Sequence, residues 1–524
     1  MSQVYKSMSI AQPHPPFVDG FQKLMSGLSL IGLFLLFTAD YIFSDHHALI
    51  LAGSLTMISG GIIGFSWRAY LTKSAGIKND GVWFSGIASR GLMGWIAGLF
   101  LTGFYVVLYW FPEALGLGMG GAANKGIVAL FDPLAMLFKG TPASQWFVYG
   151  TLYTVAILSF GTKFLWKYRH NRYQVLRTLS VMFFQLFFAF LIPEILEGLN
   201  SDYGQNWFDK DMKNMWPLDY DLFDQWHIDN MSSTGVMGWS FLVISLLMIF
   251  VVSPFLTYKY GKRWYCSWVC GCGGLAETAG DPFRHLSDKS LKSWKVERWL
   301  IHSVLVFSII MTIAVVYGYL GDGSQYYITR TTFTIIVVTL LLIIGFIAYY
   351  FMYKQGQRQD LKKVIGGILG VIGIVLLINY LTGSGNAFFI DNYSFKKWYG
   401  LLIGAVFSGV VGVGFYPLMG SRVWCRFGCP MAAILGLQQK FFSRFRITTN
   451  GSQCISCGNC STYCEMGIDV RSYAQKGQDI VRASCVGCGI CAAVCPRGVL
   501  KLENGSDDIY EKGLDIRNNH VSLK

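Results

Sequence analysis

Long apolar runs separated by polar connections fill most of the chain between residues 23 and 419. Ten are long enough to cross ~30 Å of hydrocarbon as helices, at 23–43, 47–67, 91–111, 146–166, 177–199, 235–257, 299–320, 331–353, 363–383 and 398–419. The fold expected is therefore an all-α polytopic membrane protein. Beyond residue 419 the pattern changes to a polar, cysteine-rich region ending in a small α+β module at 446–502. The remaining boundaries expected are a cytoplasmic N-terminal segment at 1–22, helices 1–6 over 23–257, a loop at 258–298, helices 7–10 over 299–419, a cysteine segment at 420–445 and a polar tail at 503–524.

Composition agrees with a membrane setting. The chain is 53% hydrophobic and only 14% charged, where soluble proteins carry about a quarter charged residues. Lys and Arg concentrate in alternate connections: Arg68, Lys73, Lys78 and Arg90, then Lys163 to Arg177, then Lys259 to Arg298, then Lys354 to Lys363. The intervening connections carry only Lys125, Lys139, Lys210, Lys213, Arg330, Lys396 and Lys397. By the positive-inside rule both termini lie in the cytoplasm. The net charge of +13 then reflects topology and attraction to anionic lipid, and calls for no nucleic acid. The polar first 22 residues, with Pro13, Pro15 and Pro16, lack the apolar core of a cleavable signal, so the first helix is expected to act as an anchor.

Eight of thirteen cysteines form two runs, Cys454, Cys457, Cys460, Cys464 and Cys485, Cys488, Cys491, Cys495. Each has the spacing C-x2-C-x2-C-x3-C of a two-cluster [4Fe-4S] ferredoxin, in which the last cysteine of a run crosses to the other cluster. The expected ligand sets are Cys454, Cys457, Cys460 with Cys495, and Cys485, Cys488, Cys491 with Cys464.

The other five cysteines lie in a repeat. Gly261-Lys-Arg-Trp-Tyr-Cys266-Ser-Trp-Val-Cys270-Gly-Cys272 parallels Gly420-Ser-Arg-Val-Trp-Cys425-Arg-Phe-Gly-Cys429-Pro430 in its glycine, its arginine and its C-x3-C spacing. A C-x3-C pair sets two thiols about one helical turn apart, so Cys266, Cys270, Cys425 and Cys429 could serve one centre. An iron–sulfur cluster, a soft metal such as copper(I) or zinc, and a dithiol–disulfide couple all fit four thiols. Cys272 has no counterpart in the second copy and is a spare candidate ligand.

Across residues 235–502, the C-x3-C motifs at helix ends, the second continuing as Cys429-Pro430, followed by the double cluster segment, resemble the membrane polyferredoxins that include NosR and NapH. That resemblance implies electron transfer between quinone and iron–sulfur or flavin partner proteins at the bacterial inner membrane. A related branch, of the CcoG type, implies copper handling. The chain departs from the family pattern with Gly271 after the first C-x3-C and Glu465 after Cys464, both places where proline is usual. The external connections leave no room for a NosR-like flavin domain, and Ser232-Ser233-Thr234-Gly235 reads as a helix N-cap.

Among other polar groups, His302 lies near the interior of a predicted span without a partner histidine, which argues against haem b. Gln185 and Glu194 are intramembrane candidates for proton transfer. Lys167 to Tyr173 reads as a solvated basic connection, and Gly116 to Gly121 as a loop with no preceding strand and hence no nucleotide site. The expected function is iron–sulfur electron transfer to or from a membrane acceptor such as quinone. A copper-reducing assembly factor and a redox-sensing membrane regulator are the alternatives.

Overall fold

The computed structural model describes residues 18–38, 40, 46–72, 86–202, 215–320, 328–354, 359–382, 386–387 and 390–504. Lys73, Lys78, Lys210, Lys213 and the polar tail from 505 lie outside them. Six described helices are long and apolar enough to cross a membrane: Gly20–Thr38, His47–Leu71, Leu92–Trp110, Arg172–Leu199, Val236–Tyr260 and Leu291–Tyr319. Large side chains such as Leu99, Phe250 and Leu342 stand about two-thirds exposed on this helical body. A soluble protein does not leave so much apolar surface to water; lipid accommodates it.

The other four predicted spans also fall on helical segments. Residues 146–166 lie in Gln145–Lys167, whose buried positions include Thr151, Thr154, Ser159 and Lys163, so this helix is a polar member of the interior. The segments 331–353 and 363–383 coincide with Arg330–Lys354 and Gln359–Thr382. The segment 398–419 begins in Asn392–Tyr399 and continues as π-helix through Gly400–Val411.

One element was not anticipated. Gly126–Lys139, read from sequence as part of a connection, is a helix whose Ile127, Val128, Leu130 and Phe131 are buried among the first helices. Asp132 fixes its surroundings by accepting from Asn124 Nδ2 (2.7 Å) and the Ala143 amide (2.8 Å). The serine cluster at 232–234 also differs from expectation. Gln225–Ser233 is a helix, and Ser233 and Thr234 return hydrogen bonds to the Asn230 carbonyl, so these residues end one helix and do not cap the next.

The C-terminal module is α+β as expected. Arg446–Thr449 pairs antiparallel with Leu500–Glu503, Arg446 opposite Glu503. Three short helices, Asn459–Thr462, Val470–Gln475 and Ile490–Ala493, lie between the strands. A single apolar core runs from this module into the helical body, joining Ile447, Val470, Val486 and Leu500 to Tyr265, Trp424, Met431, Leu305 and Met311. The module is thus packed on the helices and not tethered beside them.

Candidate iron–sulfur and thiolate centres

The ferredoxin fold brings the two cysteine runs together crosswise. Cys454, Cys457, Cys460 and Cys495 line one cleft of about 350 Å³, with Arg471, Arg497 and Ile455 at its sides. Ile455 is 51% exposed, so the cleft lies at the surface. Cys464, Cys485, Cys488 and Cys491 form the second group, each within electrostatic reach of others in the set, and Cys491 also reaches Cys460 of the first. Left-handed glycines make the tight loops possible: Gly458 (φ 81°), Gly487 (φ 64°) and Gly489 (φ 74°) each take a conformation that a side chain resists.

The second group is roofed by the helical body. Tyr173 Oη donates to the Gly487 carbonyl (2.9 Å) and Gln174 Nε2 to the Cys488 carbonyl (2.8 Å). Ser267 Oγ donates to the Val486 carbonyl (2.9 Å), and Gln439 Nε2 donates to the carbonyls of Arg482 and Cys485, both 2.8 Å. The basic stretch from Lys167 is therefore solvated only in part, at His170 and Arg172. Tyr168 is fully buried, and Lys167 pairs with buried Asp281 (2.8 Å) beneath the module.

The two C-x3-C motifs adopt matching backbone paths. Gly261 (φ 67°, ψ −179°) and Gly420 (φ 99°, ψ 169°) each end a helix in a left-handed, extended turn. The first cysteine of each pair sits in a short helical turn, and the second, Cys270 or Cys429, is the extended N-cap of the next helix. Cys429 Sγ accepts from the Ala432 amide (3.3 Å), whereas the Cys270 thiol makes no such cap bond. A helix N-terminus favours a thiolate there, and Pro430 fits the first helical position because its missing N–H would have had no partner.

These elements bring Cys266, Cys270, Cys425 and Cys429 together, with Cys272 beside Cys270. Burial pushes the Cys266 thiol up to about 12 and raises Cys425 and Cys429. Cys270 is lowered to about 6, chiefly by the Cys272 thiol at its sulfur, assisted by the Gly273 amide. Four convergent thiols, mostly disfavoured as free thiolates, suit a soft cation that takes their protons' place. Gln185, considered for proton transfer, instead donates to the Val269 carbonyl (2.7 Å) and buttresses this loop. Glu194 faces Lys139 (3.9 Å), and His302 Nδ1 donates to the Arg298 carbonyl in its own helix (2.6 Å).

Between the quartet and the buried ferredoxin set lies a charge cluster that the sequence did not reveal. Glu277 accepts from Arg177 and Arg422; Glu465 accepts from Arg284 Nη1 (2.7 Å) and contacts Arg422 Nε (3.0 Å). Arg284 Nε also reaches Asp281 (3.0 Å). Glu277, Glu465 and Cys488 place ligand atoms within 4.8 Å of one another. Three arginines already engage the two carboxylates, so this is an ion-pair network and not a cation site. Burial raises Glu277 against the pull of Arg177 and Arg422. Burial also opposes the charge on Glu465, but Arg284 and Arg422 outweigh it and hold that carboxyl below the usual range.

Comparison with known proteins agrees with this geometry. The family model described as a 4Fe-4S dicluster domain matches residues 453–500, and one described as a 4Fe-4S binding domain matches twice, at 242–290 and 401–448. The second pair of matches covers both C-x3-C motifs. The chain thus combines 4Fe-4S binding domains, with two [4Fe-4S] clusters in its C-terminal region, with helices long and apolar enough to cross a membrane. Among curated proteins it is similar to YccM of Escherichia coli (strain K12), which is named as an electron transport protein. The two are 24% identical over 236 residues, covering 45% of this chain and 47% of that relative. The alignment therefore spans about half the relative's length. No solved structure matches.

Proposed function

We propose that this chain conducts electrons between a partner protein at the Cys454–Cys457–Cys460–Cys495 cleft and an acceptor or donor in the membrane, such as quinone. Each [4Fe-4S] cluster, when bound, supplies a one-electron carrier. In this reading the cleft thiols hold the cluster accessible to a partner, Cys464, Cys485, Cys488 and Cys491 hold the buried one, and Cys266, Cys270, Cys425 and Cys429 hold a third centre at the helix ends. The observation that carries the reading is the order of these sets: a surface cleft, a covered set packed against the helical body, then a thiol quartet at the ends of Val236–Tyr260 and of the helical segment reaching Met419. The Lys- and Arg-rich connections support ten spans with both termini and the module in the cytoplasm. The resemblance to NosR and NapH supports quinone as the membrane partner.

The test is anaerobic purification with iron, sulfide and copper analysis and electron paramagnetic resonance. The two ferredoxin-type clusters alone account for ~8 iron and ~8 sulfide. A Cys266→Ser/Cys425→Ser variant should lose one paramagnetic signal while keeping that complement. If copper, and not iron, is lost with those two thiols, the quartet handles copper as in the CcoG-type reading. A variant with an unchanged spectrum and unchanged metal content would remove the third centre from the scheme.

A further inference from the structure

Glu465 stands where ferredoxin runs usually have proline, and the fold gives it a specific setting. Its side chain is fully buried and engaged by Arg284 and Arg422, residues distant in sequence that belong to the two C-x3-C regions. Arg422 is shared more widely. Its Nη1 lies 3.5 Å from Cys425 Sγ and 3.2 Å from the Cys266 carbonyl, and its Nη2 reaches Glu277. On the other side, Glu277 and Glu465 lie within 4.8 Å of the Cys488 sulfur. Two side chains thus span the gap between a thiol of the quartet and a thiol of the buried ferredoxin set. The field of Glu465 reaches both Cys425 and Cys488.

The surroundings are rich in charge. In this buried region Arg177, Arg284, Arg422, Lys163 and Lys167 pair with Glu277, Glu465 and Asp281. Anionic thiolate centres on both flanks would add counter-charge to these buried cations. In such a place a carboxylate disfavours the more negative, reduced state of a neighbouring centre, and a hydrogen bond donated to a ligand sulfur favours it.

We propose that Glu465 and Arg422 form a charge bridge that sets the potentials of the buried ferredoxin cluster and the quartet centre together. They are positioning residues, acting on the centres through charge and through Arg422 at Cys425. The proposal rests on the quartet holding a redox centre.

The experiment is a potentiometric titration of the anaerobically purified full-length chain, followed by electron paramagnetic resonance, on the wild type, Glu465→Gln and Arg422→Lys, with iron content measured for each. Glu465→Gln keeps the shape and removes the charge. It should shift the midpoints of the buried cluster and the quartet centre upward while the cleft cluster stays in place. Arg422→Lys keeps the charge but cannot serve Cys425, Glu277 and Glu465 at once, so it should shift the quartet centre downward. It also decides the matter if Glu465→Gln fails to retain iron. A quartet signal that ignores both substitutions, or three centres that all move together, overturns the bridge and leaves the third centre standing. A wild type with no third signal removes the third centre, and the bridge with it.

Discussion

At the scale of single residues, the chemistry readable from sequence was the chemistry carried by regular spacing. The ferredoxin runs and the C-x3-C pairs announce themselves because cysteine ligands recur at short, fixed intervals, and the structure brings together the sets that spacing indicated. Glu465 was legible only as a missing proline. Its meaning depends on Arg284, 181 residues away in sequence, and no local pattern encodes such a pairing. Asp281 has the same character. Burial would raise its carboxyl, but Lys167, Lys163 and Arg284 more than reverse this and hold it well below the usual carboxylate range. Its ion pairs therefore stabilise the fold fully above the unfolded value near ~4 and are lost as acid protonates it. Thermal unfolding in detergent should show stability declining as pH falls below ~4, and Asp281→Asn should flatten that decline. At neutral pH the same variant should cost on the order of 3–5 kcal/mol, because it leaves buried Lys167 and Arg284 short of a partner.

At the scale of elements, apolar length located most of the helices but did not distinguish a lipid-facing span from an interior one. Gln145–Lys167 has the length of a span, yet buries Thr151, Thr154 and Lys163 on its inner side. Gly126–Lys139 lay hidden in a connection because, at 14 residues, it is too short to read as a span. The π-helical stretches at Phe184–Leu191, Gly400–Val411 and Trp424–Gly428 carry no motif that separates them from α-helix. The contact between Pro430–Phe442 and the ferredoxin module depends on the absence of a side chain. A Cβ on Gly436 would lie 2.6 Å from the Ala483 carbonyl, a backbone atom that cannot swing away. Gly436→Val should weaken the docking by about 1–3 kcal/mol. Hydrogen exchange should report this as faster opening of residues 482–489, with exchange in Leu291–Tyr319 unchanged.

At the scale of the whole molecule, the two ferredoxin clusters occupy unequal positions. The cleft set lies beside exposed Ile455 and Arg497, whereas Cys485 and Cys491 are buried and their loop is covered by Tyr173 and Gln174. Controlled exposure to air should therefore remove iron in stages. The first ~4 of ~8 ferredoxin irons should leave with the signal of the cleft cluster, and a Cys454→Ser variant should lack that early stage. Simultaneous loss of both signals would contradict this inequality. The repeat was visible in sequence as two short motifs that could serve one centre, but how the helices preceding residues 261 and 420 pack to bring them together was not.

The close covering of the 482–489 loop also constrains how the protein is made. Once the loop sits beneath Tyr173 and Gln174, with Gln439 bonded to the carbonyls of Arg482 and Cys485, the sulfurs of Cys485 and Cys491 are closed off from any delivery protein. Iron and sulfide would reach them more directly while the ferredoxin module is still undocked. Cluster loading and docking are then coupled events, with the ferredoxin module filled before the helical body covers it.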